Sequence, residues 1–314
     1  MDNSSKSKLV AIVGATATGK TTVGVKLALA LNGEVINCDS SLFYRGMDIA
    51  TSKPSMEEMS GVQHHLMDFL EPDQNFSLAE YLKIARTVVC EVTERGNLPI
   101  LVGGSGQYFW ALVEGWKVPN IEPDLELRAE LELRLTNAGV ESIAQILCNE
   151  APGAAKETDL RNPRRVIRAI ERIRSGWSDS ARRKSPTSPF QSLIIGLSVD
   201  RAVLHQRIIE RLHLMLERGW KSEVDGLLAR GFTTKSRSMN GIGYRHMIDH
   251  ISGKFDLDEA VRLTAVSTNK LVRHQNSWFK TEDPRIHWYN VTKGIDAYVE
   301  SMVTSVAEWQ LIRT

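Results

Sequence analysis

The 314-residue sequence predicts an α/β fold, in which helices cover both faces of a parallel β-sheet and an all-helical insertion interrupts the sheet. Two observations support this prediction. Short apolar runs rich in branched residues alternate with segments of helical periodicity, as expected for parallel α/β sheets. From about residue 119 the alternation stops, and a long charged stretch of helical periodicity comes before the next strand-like run.

Three short apolar segments in the first third of the chain predict strands, at residues 9–13, 34–37 and 98–102. Two amphipathic helices are predicted between them, at residues 21–31 and 77–95. Gly33 and Gly96 stand where these helices should end, because glycine readily adopts the left-handed conformation that terminates helices. The region from 1 to 117 is therefore interpreted as the first part of the sheet core.

The middle of the chain predicts a helical insertion at residues 118–190. Residues 123–176 carry helical periodicity and many charges but no strand-like run, with breaks at Gly139, Pro152 and Pro163. The segment 175–189 is more polar than its neighbours and predicts a mobile loop.

The sheet is predicted to resume after the insertion, so that residues 191–314 form the second part of the core with C-terminal helices. A strand is predicted at 193–199, a long helix at 200–230, another helix at 257–279 and a last short strand at 285–289.

Composition places the chain among ordinary globular proteins, with 42% hydrophobic and 25% charged residues. No run of about 18 uncharged apolar residues occurs, which excludes an integral helical membrane protein. The polar first residues, followed by a short apolar run, predict no secretory signal. Cys38, Cys90 and Cys148 match neither a disulfide framework nor a zinc pattern, so we expect a reducing, cytoplasmic location.

Charge is distributed unevenly although the net charge is only +1. Residues 161–184 hold nine basic and two acidic side chains, whereas residues 121–160 hold three basic and nine acidic ones. Such a basic segment is either a solvated helix face or the binding surface for a polyanion. It is the first indication of a nucleic-acid partner.

Residues 14–21 match the phosphate-binding pattern G-x-x-x-x-G-K-[ST] between a predicted strand and a predicted helix. The motif consists of Gly14, Ala15, Thr16, Ala17, Thr18, Gly19, Lys20 and Thr21. Its glycines let backbone N–H groups point at phosphate oxygens beside a helix N-terminus. Lys20 adds a positive charge, and the Thr21 hydroxyl is placed to bind magnesium. The motif predicts a bound phosphate chain without specifying the reaction.

Asp39 follows the second predicted strand, at the sheet edge where ligands bind in open α/β sheets. From position alone its carboxylate could bind magnesium, act as a general base or cap the following turn. These three roles remain open at this point.

Eight stretches, in the same order as in the family, resemble the tRNA dimethylallyltransferases, also called tRNA isopentenyltransferases. They are GATATGKT at 14–21, DSSLFYRGMDIATSKP at 39–54, HHLMDF at 64–69, LVGGSGQYFWALVEG at 101–115, RNPRRVIRAIE at 161–171, RIIERLHLM at 207–215, GIGYR at 241–245 and TNKLVRHQNSWFK at 268–280. This resemblance implies a P-loop NTPase-like core and covers almost the whole chain.

The resemblance implies an enzyme that transfers a dimethylallyl group from dimethylallyl diphosphate to the N6 amine of the adenosine adjacent to the anticodon in tRNA. Residues 14–21 would then bind the diphosphate leaving group, with Mg²⁺ at Thr21. By matching family positions, Asp39 would be the general base, and Arg211 would contact the diphosphate. Ser105, where the family usually has threonine, would support the bridging oxygen or magnesium.

The resemblance also implies contacts with the anticodon stem-loop. They map onto Asp39, Ser40, Ser41, Leu42, Ser105, Arg128, Arg164, Arg165, Val166, Ile167, Arg168, Asn240, Gly241, Ile242, Gly243, Tyr244 and Arg245. Arg164, Arg165 and Arg168 lie in the basic segment, so composition and resemblance indicate the same surface. The insertion would close over the bound RNA, and the chain is expected to act as a monomer without a membrane partner.

Three other functions fit part of the sequence. An adenylate isopentenyltransferase would prenylate a free nucleotide and have little use for a basic helical insertion. A P-loop small-molecule kinase would use the same loop but consume ATP without a prenyl donor. A non-catalytic RNA-binding protein would not require Asp39 beside an intact phosphate loop.

Overall fold

The computed structural model describes residues 6–177 and 187–312. Within these ranges the chain forms two compact units. The first comprises the described residues of Met1–Phe76, Tyr81–Val113 and Ser188–Thr314, and the second comprises Ser77–Glu80 and the described residues of Glu114–Thr187. Much of the predicted loop at 175–189 lies outside the described residues.

The first unit contains a six-stranded sheet in which every pair of neighbouring strands is parallel. The strands are β1 Lys8–Gly14, β2 Gly33–Asn37, β3 His64–His65, β4 Leu98–Val102, β5 Gln191–Ser198 and β6 Ile286–Asn290. Their spatial order is β3-β2-β4-β1-β5-β6, so β2, β4 and β1 are neighbours in the middle of the sheet. The predicted parallel α/β class is confirmed.

Helices surround the strands of this unit. They are α1 Lys20–Leu31, α2 Met56–Met59, α3 Leu78–Glu94, α4 Gly106–Val113, α8 Arg201–Glu217, α9 Trp220–Ala229, α10 Tyr244–Ile251, α11 Leu257–Trp278 and α12 Asp296–Leu311. The first residues of α3 belong to the second unit, and α12 follows the last strand. Ser77 begins α3 with a reciprocal capping pair, because its hydroxyl accepts from the Glu80 N–H at 3.1 Å and the Glu80 carboxylate accepts from the Ser77 N–H at 2.7 Å.

An apolar core packs α1 and α12 against the central strands of the sheet. β1 is completely buried over Leu9–Val13, as its unbroken apolar run predicts for a central parallel strand. Val23 and Leu27 of α1 pack with Ile12 and Ile100 of neighbouring strands, and Met302 and Val306 of α12 belong to the same cluster. The central strands are thereby held rigidly, which fixes where their loops emerge.

The prediction of one long helix at 200–230 is wrong. The segment forms α8 and α9, which are separated at Gly219, where φ is +89°. An L-residue side chain strongly disfavours this left-handed backbone, so glycine at this position allows the chain to turn. Apolar spacing on both sides continues through the break, which is why periodicity alone suggests a single helix.

The second unit is helical, with α5 Leu125–Glu150, α6 Pro152–Glu157 and α7 Pro163–Arg174. Gly139 kinks α5 with a φ of +74°, and the prolines stand at the first helical positions of α6 and α7. The predicted breaks therefore lie at real helix boundaries or kinks. Leu131, Ile143 and Leu147 of α5 pack against Val166 and Ile170 of α7 to form a separate core.

A buried carboxylate crosslinks this helical unit. Glu171, 3% exposed, accepts from Arg128 Nε at 2.6 Å and Nη2 at 3.0 Å, and from Arg168 Nη1 at 3.1 Å. Desolvation alone would raise the pKa of Glu171, but the hydrogen bonds and charges of the two arginines outweigh it and lower the pKa.

Replacing Glu171 by alanine is expected to lower the free energy of unfolding by ~2–3 kcal/mol, because two partly buried guanidinium groups would lose their shared acceptor. Urea unfolding of the full chain would measure this loss. The exposed Glu157→Ala on α6 is the matched control and should change stability by at most about 0.5 kcal/mol. Equal stability of the two variants would show that the crosslink contributes little.

Among the helices in the described ranges, none combines the length and the apolar character needed to cross a membrane.

Candidate active site

Loops from three neighbouring strands meet at one edge of the sheet. The phosphate-loop motif follows β1, Asp39 follows β2 and Ser105 follows β4, and the strand order places these three strands side by side. Because the strands are parallel, their carboxyl ends lie at the same edge, where ligands bind in open α/β sheets. The sequence alone predicts the three loops, and the topology brings them together.

The loop at 14–21 has the backbone conformation of a phosphate cradle. Residues Gly14, Ala17 and Gly19 have φ values of +144°, +63° and +89°, and α1 begins at Lys20. In loops of this conformation, backbone N–H groups and the N-terminus of the following helix together stabilise an anion. Gly14 is also required for space, because a Cβ atom there would lie 2.4 Å from the carbonyl oxygen of Leu197.

Lys20 lies beneath this loop. Its Nζ donates to the carbonyl oxygen of Ala15 at 2.7 Å. Burial lowers the pKa of Lys20 to about 8, while the nearby Asp39 carboxylate raises it and the Arg211 guanidinium lowers it further. The loop therefore holds a desolvated ammonium group that gains a favourable partner when an anion binds.

Two threonines complete the loop. The Thr18 hydroxyl, 1% exposed, donates to the Ala15 carbonyl oxygen at 2.9 Å and so fixes the loop internally. Thr21 is half-buried in the first turn of α1. No cluster of three or more His, Cys, Asp or Glu side chains suited to a metal occurs among residues 6–177 and 187–312. A single hydroxyl with substrate phosphate oxygens is, however, an environment that Mg²⁺ accepts.

Asp39 caps the short 3₁₀ turn Ser40–Phe43. Its Oδ1 accepts from the Ser41 N–H at 3.0 Å and from the Ser41 hydroxyl at 2.7 Å. Asn37 orients the backbone of Asp39, since its Oδ1 accepts the Asp39 N–H at 2.8 Å and its Nδ2 donates to the Asp39 carbonyl at 3.0 Å. Its capping role does not exclude a chemical role for the Asp39 carboxylate, because a carboxylate has a second oxygen that can accept hydrogen bonds.

Ser105 joins the loops that follow β2 and β4. Its hydroxyl oxygen accepts from the Ser40 N–H at 3.2 Å, and its own N–H donates to the Cys38 carbonyl at 3.2 Å. The two loops approach so closely that a Cβ atom on Gly103 would lie 2.2 Å from the Cys38 carbonyl carbon. Ser105 is therefore held beside Asp39 by backbone contacts.

Arg211 on α8 reaches the phosphate loop. Its Nη1 donates to the Thr16 hydroxyl at 2.9 Å, and its Nη2 donates to the Thr51 carbonyl at 3.4 Å. Its Nε donates to the Ser52 hydroxyl. Burial lowers the pKa of Arg211, and the Asp39 carboxylate opposes that effect. Arg207, one turn earlier, instead donates to the carbonyls of residues 291 and 292, so it stabilises the end of β6.

Gln275 on α11 is a site residue that sequence reasoning did not select. It is 3% exposed, and its Oε1 accepts the Thr16 N–H at 2.8 Å. Its Nε2 donates to the Gly104 carbonyl at 3.2 Å. One amide thus links the phosphate loop to the loop bearing Ser105. The signal in the sequence that could have identified Gln275 is a polar side chain on the buried face of the predicted helix.

The residues assigned to RNA contact in the second unit are not equivalent. Arg164 and Arg165 are exposed on α7, whereas Val166 and Ile167 are buried in the core of that unit. Arg168 and Arg128 share Glu171, so part of their charge is already neutralised. The exposed pair therefore offers the most accessible guanidinium groups of this set.

The segment 240–245 also divides into exposed and buried residues. Ile242 and Arg245 are accessible, and the Asn240 side chain donates to the Ser236 carbonyl at 3.0 Å. Gly243, with a φ of +90°, precedes α10. Tyr244 is 1% exposed and its hydroxyl donates to Glu223 at 2.7 Å, so it contributes to packing rather than to an open surface.

A parallel α/β core with a phosphate-loop motif, an adjacent carboxylate and a desolvated lysine defines a P-loop NTPase-like protein. The IPP transferase family matches residues 42–282. The chain therefore belongs to the IPP transferase family, and the resemblance found in the sequence is confirmed.

Individual relatives agree with this assignment. The chain is 40% identical to a tRNA dimethylallyltransferase of Dehalococcoides mccartyi over 94% of this chain and 91% of the relative. It is 40% identical to that of Corynebacterium diphtheriae over 90% and 94% of the two chains. The solved tRNA isopentenylpyrophosphate transferase of Bacillus halodurans is similar with a TM-score of 0.73 and 38% identity, covering 96% of both chains.

Proposed function

We propose that this transferase moves a dimethylallyl group from dimethylallyl diphosphate to the N6 amine of the adenosine adjacent to the anticodon in tRNA, releasing diphosphate. The observation that carries the proposal is the convergence of Lys20, Asp39 and Ser105 at one sheet edge in a chain of the IPP transferase family. The tRNA dimethylallyltransferase activity follows from the family. The donor, the target atom and the residue roles are proposed here.

The phosphate loop would bind the diphosphate as a leaving group. The allylic C–O bond breaks with its electron pair going to the diphosphate oxygen, so negative charge increases there. Lys20, the loop N–H groups and Arg211 would stabilise that charge, and the contacts of Lys20 and Arg211 with the phosphate loop support this role. No phosphoryl group moves in this reaction.

Asp39 would accept the proton of the adenine amine as the new N–C bond forms. An exocyclic amine conjugated with the purine ring is a weak nucleophile, and a carboxylate that accepts its hydrogen bond increases its reactivity. Asn37 holds the backbone of Asp39, and Ser41 holds its carboxylate in a defined orientation. Proton acceptance by Asp39 therefore requires little reorganisation.

Ser105 would donate its hydroxyl hydrogen toward the donor's bridging oxygen, while its oxygen retains the Ser40 N–H. Thr21 would hold Mg²⁺ together with diphosphate oxygens. When bound, this ion would neutralise phosphate charge and so make the diphosphate a better leaving group.

The lowered pKa of Lys20 predicts how donor binding depends on pH. With its pKa lowered to about 8, Lys20 loses its charge above that pH in the free enzyme, so binding an anion then requires proton uptake. Affinity for the diphosphate is expected to be constant below pH 8 and to fall by up to about tenfold per pH unit above it.

Titration with inorganic pyrophosphate and Mg²⁺ between about pH 6.5 and about pH 9.5 would measure this dependence. A Lys20→Arg variant keeps its charge over that range and should lack the decline, even if its affinity is lower. A decline of equal size in the variant would assign the titration to another group.

The exposed Arg164 and Arg165 are the proposed phosphate contacts of the helical unit. A base cannot be alkylated inside a stack, so the target adenosine would leave its stack to reach Asp39 and the donor. Leu42, Ser40 and Ser41 lie in the turn next to Asp39 and are the proposed contacts around that base. We further propose that the chain acts as a monomer in the cytoplasm.

The test is incubation of the purified chain with labelled dimethylallyl diphosphate, magnesium and unmodified tRNA, with AMP and ATP as parallel acceptors. Label in tRNA that is confined to the adenosine beside the anticodon supports the proposal. Label only in free nucleotide would indicate an adenylate isopentenyltransferase, and ATP consumption without prenyl transfer would indicate a kinase.

A further inference from the structure

Glu223 on α9 accepts four hydrogen bonds from two separate parts of the chain's first unit, the 48–50 loop and the start of α10. Its Oε2 accepts the N–H groups of Asp48 and Ile49, each at 2.7 Å. Its Oε1 accepts the Tyr244 hydroxyl at 2.7 Å and the Ala50 N–H at 3.4 Å. A half-buried carboxylate that accepts three successive backbone N–H groups fixes the path of that backbone.

The loop that Glu223 holds leads directly to Arg211. After Asp48, Ile49 and Ala50 come Thr51 and Ser52, whose carbonyl and hydroxyl accept from the Arg211 guanidinium. Two of the three partners of Arg211 thus lie in this one loop, and the third is Thr16 in the phosphate loop. The orientation of the guanidinium therefore depends on where residues 48–52 lie.

Ser52 makes this dependence stronger because its backbone has a φ of +53°. A serine rarely adopts the left-handed region, and such a residue persists only where its surroundings enforce it. Lys53, which is buried, provides one constraint by donating to the Tyr44 carbonyl at 2.7 Å and the Asp48 carboxylate at 2.6 Å. Hydrogen bonds within the loop add to it, from the Ser52 N–H to the Ile49 carbonyl at 3.0 Å and from the Lys53 N–H to the Asp48 carbonyl at 2.9 Å. Glu223 provides a further constraint from outside the loop through the N–H groups that it accepts.

We infer that Glu223 is a positioning residue for donor binding, which sets the Arg211 guanidinium against the diphosphate by fixing the 48–52 loop. This inference rests on the proposed role of Arg211 in holding the leaving group. Glu223 itself does not touch the substrate. Burial, followed by the charge of Glu223, raises the pKa of Tyr244, which keeps its hydroxyl a donor to the carboxylate.

Replacement of Glu223 by alanine removes the acceptor from all three N–H groups. The loop can then shift, and displacement of a binding group by ~1 Å weakens its interaction substantially. We expect Glu223→Ala to weaken Mg-pyrophosphate binding about tenfold and to raise the KM for dimethylallyl diphosphate by a similar factor. The KM for tRNA should change by less than about threefold, and kcat by less than the KM for the donor.

Glu223→Gln is the conservative variant, because one amide oxygen can still accept from Asp48 and Ile49. It should recover most of the affinity, to within about threefold of the unchanged protein. Glu217→Ala on α8 removes an exposed carboxylate from outside the site and is the matched control. Calorimetric titration of the full chain with pyrophosphate and Mg²⁺ reads out binding independently of turnover.

Four results distinguish the possibilities. Weaker pyrophosphate binding in Glu223→Ala, recovered in Glu223→Gln and absent in Glu217→Ala, supports the inference. A folded Glu223→Ala that binds pyrophosphate like the unchanged protein overturns it, as does a loss of kcat and thermal stability with both KM values unaltered. If the unchanged protein binds no pyrophosphate, the proposed function itself fails.

Should Glu223→Ala not fold, Glu223→Asp decides the question. Its shorter side chain keeps the charge but cannot reach all three N–H groups, so pyrophosphate affinity should fall at least about threefold while the melting temperature stays close to that of the unchanged protein. Unchanged affinity in a folded Glu223→Asp overturns the inference.

Discussion

An Asp39→Asn variant is expected to transfer the prenyl group about 10²- to 10⁴-fold more slowly, while its affinity for the donor changes little. Asparagine keeps the shape of the side chain and an oxygen that can accept from Ser41, so the turn should persist. It lacks the charge and the basicity needed to take the proton of the amine. The loss should therefore appear in the chemical step.

Single-turnover transfer of labelled prenyl into tRNA would measure this effect. It is best followed at about pH 6.5, because Asp39 raises the pKa of Lys20 and its removal would let Lys20 lose charge at a lower pH. Asp73→Asn, which alters an exposed carboxylate, is the matched control. An Asp39→Asn enzyme with normal single-turnover rates would rule out general-base catalysis by this side chain.

The second large effect is expected for Lys20→Met, which should weaken pyrophosphate binding by about 10²-fold, equivalent to ~3 kcal/mol. The Lys20 ammonium is the charge placed inside the phosphate loop, and methionine retains only its aliphatic bulk. Prenyl transfer should fall at least as much, because the same charge stabilises the leaving diphosphate.

The thermal stability of Lys20→Met should not fall with its pyrophosphate affinity. Because burial lowers the folded-state pKa of Lys20 to about 8, below its value in the unfolded chain, the charge of Lys20 costs folding free energy, in full below pH 8, and removing it should leave the melting temperature unchanged or higher. Lys26→Met on α1 breaks only an exposed ion pair with Asp296 and is the control. A strongly destabilised Lys20→Met would indicate that the Ala15 contact matters more for folding than for binding.

Local patterns predict the sheet core and its phosphate loop well because their signals lie within a few consecutive residues. A run such as Leu9–Val13 has to be buried, and the glycines and lysine that follow it have one common structural use. β3 was missed because it has only two residues, His64–His65. α12 was missed although Met302, Val306 and Trp309 have helical spacing and pack on the sheet core.

Long-range contacts could not be predicted in this way. Gln275 meets Thr16 across 259 positions, and Glu223 meets Asp48 across 175, so no sequence window contains both partners. The arginines of the basic segment show the same limit. In a count of charges Arg164 and Arg168 are equal. Only Arg168, however, is paired with a buried glutamate on the next helical turn.

The close approach of backbone to backbone around Gly14 and Gly103 has a consequence for how this enzyme can diversify. A methyl group at Gly14 would overlap the Leu197 carbonyl of β5, and one at Gly103 would overlap the Cys38 carbonyl that follows β2. In the proposed function these contacts would lie beneath the diphosphate, at positions where the clash excludes any side chain larger than that of glycine. Acceptance of a longer or hydroxylated prenyl chain would then have to arise at positions that line the hydrocarbon.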